Sequence, residues 1–123
     1  MISDKIFVFI LLIHFLADFG LQTNDQAINK SSSNIFLFYH VGVYSLIWLI
    51  ASYIIFLNVI MAILFSLITF LFHFGTDWVT SRVGKPFWSK GDYHNGFAVV
   101  GFDQLLHYIQ LYYTFRILLS YEF

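Results

Sequence analysis

The chain has 123 residues, of which 59% are hydrophobic, 22% aromatic and 11% charged, about half the charged fraction of an ordinary soluble domain. A water-soluble globule of this size has a high surface-to-volume ratio and needs a polar shell, which this composition excludes. Six basic against seven acidic residues give no field for nucleic acid, and the absence of Cys removes disulfides, thiolate metal sites and Cys nucleophiles.

What remains is an all-α fold, a polytopic membrane four-helix bundle forming a single domain over residues 1–123. A membrane helix needs about 20 mostly apolar residues, and four runs fit. The first is predicted from about Lys5 to Gln22; His14 and Asp18 interrupt it and no small-residue cleavage pattern follows, so it is read as a span and not a secretion signal. After a polar break from Thr23 to Asn34 (TNDQAINKSSSN), the second span runs from Ile35 to Leu57. Only Asn58, a residue that tolerates turn conformations, separates it from the third, Val59 to Thr80. A second break from Ser81 to Gly96 (SRVGKPFWSKGDYHNG) leads into the fourth, Phe97 to about Tyr121. The two breaks carry Lys30, Arg82, Lys85 and Lys90, against Lys5 and Arg116 toward the termini. The positive-inside rule therefore places the breaks in the cytoplasm and both termini outside, in a multi-pass protein of the inner (plasma) membrane.

The informative residues are ionisable groups within apolar spans, where each is costly and must pair, face water or bind something. Seven qualify: His14 and Asp18, His40, His73 and Asp77, and Asp103 and His107. Three pairs have i, i+4 spacing, which puts both side chains on one helix face. The faces continue as polar stripes through Gln22 in the first span, Ser66, Thr69 and Thr80 in the third, and Gln110 and Thr114 in the fourth. Counted from the cytoplasmic ends, all seven lie roughly 5 to 15 Å deep at about 1.5 Å of rise per residue. They are predicted to meet in one cavity, with His40 at its edge.

Four imidazoles and three carboxylates suit a divalent transition metal, Zn, Mn, Fe or Co, as one ion or two. The plainer reading is a proton-sharing network in which each His satisfies an Asp. Lys30, Arg82 and Lys85 could hold a phosphate over the mouth of the site, although the positive-inside rule accounts for the same residues. His94 is a solvated loop residue in this reading. Gly84 to Pro86 lacks the remaining elements of a Walker loop, and Ser45 and Ser81 lack the context of a nucleophile elbow.

The order of motifs, HFLADFGLQ from His14, Lys30, His40, HFGTD from His73 and DQLLH from Asp103, resembles a bacterial and phage family of short polytopic membrane proteins known only as a domain of unknown function. The resemblance covers nearly the whole chain. It implies that His14, Asp18, Gln22, Lys30, His40, His73, Asp77, Asp103, Gln104 and His107 fill the family's motif positions. A looser likeness to small inner-membrane proteins described as metal-dependent hydrolases rests on intramembrane His and Asp alone and is an analogy.

The function expected is metal-dependent hydrolysis of a phosphoester or lipid-like substrate at the cytoplasmic leaflet. His14, Asp18, His40, His73, Asp77, Asp103 and His107 are the candidate ligands, Asp103 is ligand or base, and Gln22, Lys30, Arg82, Lys85 and Gln104 are the substrate-binding residues. The alternative is a transporter or channel subunit for a divalent cation or small polar solute. Membrane lipid is the expected partner, and a homo-oligomer could complete a path that one chain lacks.

Overall fold

The computed structural model describes residues 2–121, which are all-α, with no strand among the described residues. Helix α1 (Asp4–Phe15) starts at Ser3, whose side chain accepts from the Ile6 amide. It passes without a break into a π-helical turn over Leu16–Gly20, closed by the Leu21 amide on the Leu16 carbonyl at 2.9 Å. Such wide turns recur at functional sites, and this one carries buried Asp18.

The first polar break is partly helical. Thr23 and Gln26 form a reciprocal capping box that starts α2 (Asn24–Asn29), and reciprocal capping of this kind makes so short a helix possible. No α2 residue is buried, and Lys30 ends it. Helix α3 (Asn34–Phe56) then follows with 23 residues. At its end the left-handed conformation falls on Leu57 (φ 50°), whereas Asn58 is extended and caps α4, accepting from the Ile60 and Met61 amides at 2.9 and 3.1 Å. The turn lies where the sequence places it, and within it the Asn58 carboxamide serves as a cap while Leu57 takes the left-handed conformation.

Helix α4 spans Val59–Ser89 and does not stop at Thr80. The stretch from Ser81, expected to be a connection, continues the helix through Pro86, and the true link to α5 (Tyr93–Leu119) is Lys90 to Asp92, with Gly91 at φ +72°. A proline removes only one donor and tends to kink a helix rather than abolish it. The extension is held from the side by Trp88, whose ring lies so close to Gly96 of α5 that a Cβ there would stand 2.8 Å from a ring carbon. Helix α4 packs along α3 and α5, and α1 touches both α3 and α5, which closes a ring of four helices.

The core has two zones. One is aromatic: Tyr44, Trp48, Phe65 and Phe115 are fully buried, with the rings of Phe65 and Phe115 4.1 Å apart. The other is polar and contains His14, Asp18, His40, His73, Asp77, Asp103 and His107, all buried. Outside, apolar side chains stand exposed on every long helix, among them Leu12, Leu46, Leu71 and Ile109. Helices α3 and α4 are long and apolar enough to cross a membrane.

A left-handed leucine costs about 1 kcal/mol that glycine would not. Leu57→Gly is expected to raise stability by about that amount in thermal unfolding of the detergent-purified chain, whereas Asn58→Ala, which removes the cap, should lower it by about 1 kcal/mol.

Candidate metal centre

The polar zone is one connected cluster. Asp77, one turn below His73 on α4, lies at its centre: its Oδ2 is 3.1 Å from Lys30 Nζ, 3.3 Å from His40 Nε2 and 3.4 Å from His73 Nε2, while its Oδ1 is 2.9 Å from His107 Nε2. Asp18, brought in by the π-helical turn, places Oδ1 3.0 Å from His40 Nε2 and 3.5 Å from His73 Nε2. Its Oδ2 accepts from Gln104 Nε2 at 2.7 Å. Asp103 lies 3.1 Å from His107 Nε2 and accepts from the Thr80 hydroxyl and from Gln104 Nε2.

Four donor atoms of this cluster come from three segments: Asp18 Oδ1 from the π-helical turn, His40 Nε2 from α3, and His73 Nε2 and Asp77 Oδ2 from α4. The two nitrogens are 3.2 Å apart, and each is 3.0 to 3.5 Å from both oxygens. Nitrogen and oxygen ligands at about 2.0–2.1 Å from a tetrahedral zinc are separated by about 3.3–3.4 Å, which falls within the range of these nitrogen–oxygen distances. These four could hold a metal ion, as could a second group of Asp18, Asp103 and His107. Neutral imidazoles would leave three carboxylates facing the single positive charge of Lys30, a deficit of two charges that a divalent cation balances.

The structure brings all seven predicted ligands into one zone but rearranges their parts. His40, expected at the edge, is at the centre, because α3 packs tightly along α4 and its imidazole reaches both Asp18 and Asp77. His14 belongs to neither donor group. Its Nδ1 is 2.7 Å from the Tyr44 hydroxyl and its Nε2 is 2.6 Å from Gln104 Oε1, with the Asp18 carboxylate farther away at 3.6 Å. The arrangement makes His14 an orienting residue for Gln104.

Tyr44 was not singled out in the sequence. It is fully buried, bonded to His14, and stacked on the His73 ring with centroids 3.8 Å apart; His73 in turn stacks on His107 at 4.0 Å. Its position one turn along α3 from His40 was a usable signal, because i, i+4 residues share a face.

A cavity of about 480 Å³ adjoins the cluster. Asp18, Asp103 and Gln104 contribute to its lining, Lys30 and Lys85 bring positive charge, and Gln22, Ser81 and Trp88 are among its other polar and aromatic residues. Four of the five predicted substrate-binding residues therefore line one space. Arg82 does not: it bonds Asn34 Oδ1 at 2.8 Å and the Trp78 carbonyl at 3.1 Å, with its guanidinium over the Trp78 ring. It ties α4 to the start of α3.

The chain is thus an all-α protein with a buried His/Asp cluster that could hold a metal ion beside a cavity lined by two lysines. The chain belongs to the family described as Protein of unknown function (DUF3307), whose model matches residues 6–121. No curated protein and no solved structure matches it.

Burial alone would lower the Lys30 ammonium, but the carboxylates of Asp77, Asp18 and Asp103 outweigh this and raise it above the usual lysine value. A raised folded value means that the contribution is fully present below the unfolded lysine pKa of about 10.4 and is lost as pH climbs through the folded value. Lys30→Met is therefore expected to destabilise the chain by about 2 kcal/mol, the scale of a charged hydrogen bond. In unfolding measurements, the gap from wild type should stay constant from neutral pH to about 9.

Proposed function

We propose that the protein is a multi-pass membrane protein whose His/Asp cluster holds a divalent transition metal, and that it hydrolyses a phosphoester or lipid-like substrate admitted from the cytoplasmic leaflet. The observation that carries this reading is the donor set of Asp18, His40, His73 and Asp77, spaced for a metal ion and adjoining a cavity lined by Lys30 and Lys85. A divalent cation with an open position lowers the pKa of bound water and polarises the bond to be broken. Asp103 lines the cavity beside the cluster, where a carboxylate can accept a proton from an attacking water. Gln104, held by His14, bonds both Asp18 and Asp103 and fixes their orientation.

Membrane insertion is supported by the outer surface. Leu12, Ile60 and Leu71 are 63%, 70% and 70% exposed, and such residues on all sides suit lipid better than water. Helix α4, with 31 residues, is about 46 Å long at the standard rise and exceeds a hydrocarbon core of about 30 Å. Its surplus end carries Arg82, Lys85 and Lys90, on the side of Lys30, which favours the cytoplasm for that end and the outside for both termini.

A transporter needs a polar route through the far half of the bundle. There the Gln110 amide donates to Thr69 and Thr114, and the Ser66 hydroxyl to the Ser45 carbonyl, so these donors are engaged with protein groups although Gln110 Oε1 and Ser45 Oγ have no partner. Trp48, Phe65 and Phe115 fill the space between the helices in this zone. Hydrolysis at a one-sided site fits this arrangement better than passage through it.

Elemental analysis of the chain purified in mild detergent should find bound transition metal in wild type and none in a His73→Ala, Asp77→Ala variant. Added zinc or manganese should raise the melting temperature of wild type by an amount that grows with free metal, and His94→Ala should behave as wild type. Affinity should fall as pH drops through the imidazole range near 6.5, because protons compete for the same nitrogens. A melting temperature indifferent to Zn, Mn, Fe and Co at pH 8 would leave only the proton-sharing network.

Orientation has a separate test. A carboxy-terminal reporter active only outside the cytoplasm should give signal, and signal from the cytoplasmic reporter alone would reverse the topology without touching the site.

A further inference from the structure

The metal reading accounts for Asp18, His40, His73 and Asp77 but leaves Asp103 and His107, an i, i+4 pair on α5, with a second set of donors. Asp18, Asp103 and His107 each offer a ligand atom within 4.8 Å of the others, and all three are buried. The carboxylates join the two groups. Asp77 gives Oδ2 to the His40/His73 side and turns Oδ1 to His107 at 2.9 Å. Asp18 gives Oδ1 to that same side, and its Oδ2 shares the Gln104 amide with Asp103 Oδ2. Two carboxylates that each face two donor groups through different oxygens have the form of bridges between ions about 4 Å apart, as in two-metal hydrolytic sites.

The groups differ in their access to the cavity. His40, His73, Asp77 and His107 do not line it, whereas Asp18 and Asp103 do, and Asp103 belongs to the second group alone. The first position is enclosed by four protein ligands. The second includes Asp103, which lies against the open space and suits an ion that also meets substrate.

Charge decides what accompanies it. Three carboxylates and Lys30 leave two negative charges, which one divalent ion neutralises, so a second ion would leave two positive charges in a buried layer. Such an excess is too costly to stand without a counter-anion. The adjoining cavity provides for one through Lys85 and Ser81, whose buried hydroxyl has no hydrogen-bond partner.

We propose that Asp103 and His107, with Asp18 and Asp77 as bridges, form a second divalent-cation position that fills together with a phosphate group in the adjoining cavity. The inference rests on the metal reading above. Its test is the number of manganese ions bound per chain, counted by equilibrium dialysis of full-length protein in maltoside micelles. One arm has no phosphate, one has inorganic phosphate, and one has micelles doped with phosphatidate.

The expected result is one ion without phosphate and two with it, the two ions being spin-coupled in electron paramagnetic resonance. Recruitment by phosphatidate at concentrations where inorganic phosphate has no effect identifies a lipid headgroup, and equal recruitment by both identifies phosphate itself. Asp103→Asn should hold one ion in every arm, and His107→Gln provides an independent check if the first variant folds poorly. One ion per chain in all three arms of wild type overturns the second position while leaving the first in place. Two ions in the absence of phosphate overturn the linkage to the anion, and no bound ion in any arm overturns the metal reading itself.

Discussion

A carboxylate taken out of water must be given compensation from every side it presents, and Asp77 receives it from most of the chain. Lys30 comes from the end of α2, His40 from α3, His73 from its own helix and His107 from α5. Removing any one of these contacts leaves charge uncompensated in a region of low polarity, which is far more costly than the net worth of the contact itself. The arrangement of the helices around α4 is therefore specified by polar geometry at one level and by ring packing at the other. Apolar side chains alone tolerate rearrangement; an aspartate with four fixed partners does not.

The division of the core into an aromatic zone and a polar one also limits the chemistry. The aromatic zone closes the bundle beyond Tyr44, so the cluster communicates with its surroundings through the cavity between the π-helical turn, α2 and the extended end of α4. In the proposed reaction water, ions and substrate would share that approach. The two lysines and Trp88 on its lining combine charge with an apolar surface, which suits a molecule with a polar head and a hydrocarbon body.

Much of this was legible in the sequence. Spacing of i, i+4 revealed His14 with Asp18, His73 with Asp77 and Asp103 with His107, and helix geometry then placed all seven ionisable residues at one depth. The separate roles within the layer were not legible, since periodicity fixes the face of a helix but not its distance from a neighbour. His40 became central because α3 and α4 pack closely, and His14 was drawn aside by Tyr44, whose hydroxyl is hidden in a sequence rich in aromatics. The extension of α4 was missed because Gly84, Pro86 and the basic residues around them have the composition of a loop, whereas contact between Trp88 and Gly96 supplies a tertiary reason to stay helical. Arg82 showed the same limit: its charge was visible, but its engagement with Asn34 and Trp78 depends on where α3 begins.

The two-residue link of Leu57 and Asn58 has a consequence for the order of assembly. Loop-closure entropy rises with loop length, and chains rich in local contacts fold fastest, so the α3–α4 hairpin is the least costly long-range contact for this chain to make. That hairpin by itself already sets His40 against His73 and Asp77. The remaining contributors, Asp18 from the amino-terminal helix and Asp103 with His107 from the last, must then dock onto a hairpin that presents half of the cluster in advance. A chain that nucleated at this hairpin would offer the incomplete cluster as a template against which the outer helices set their rotation.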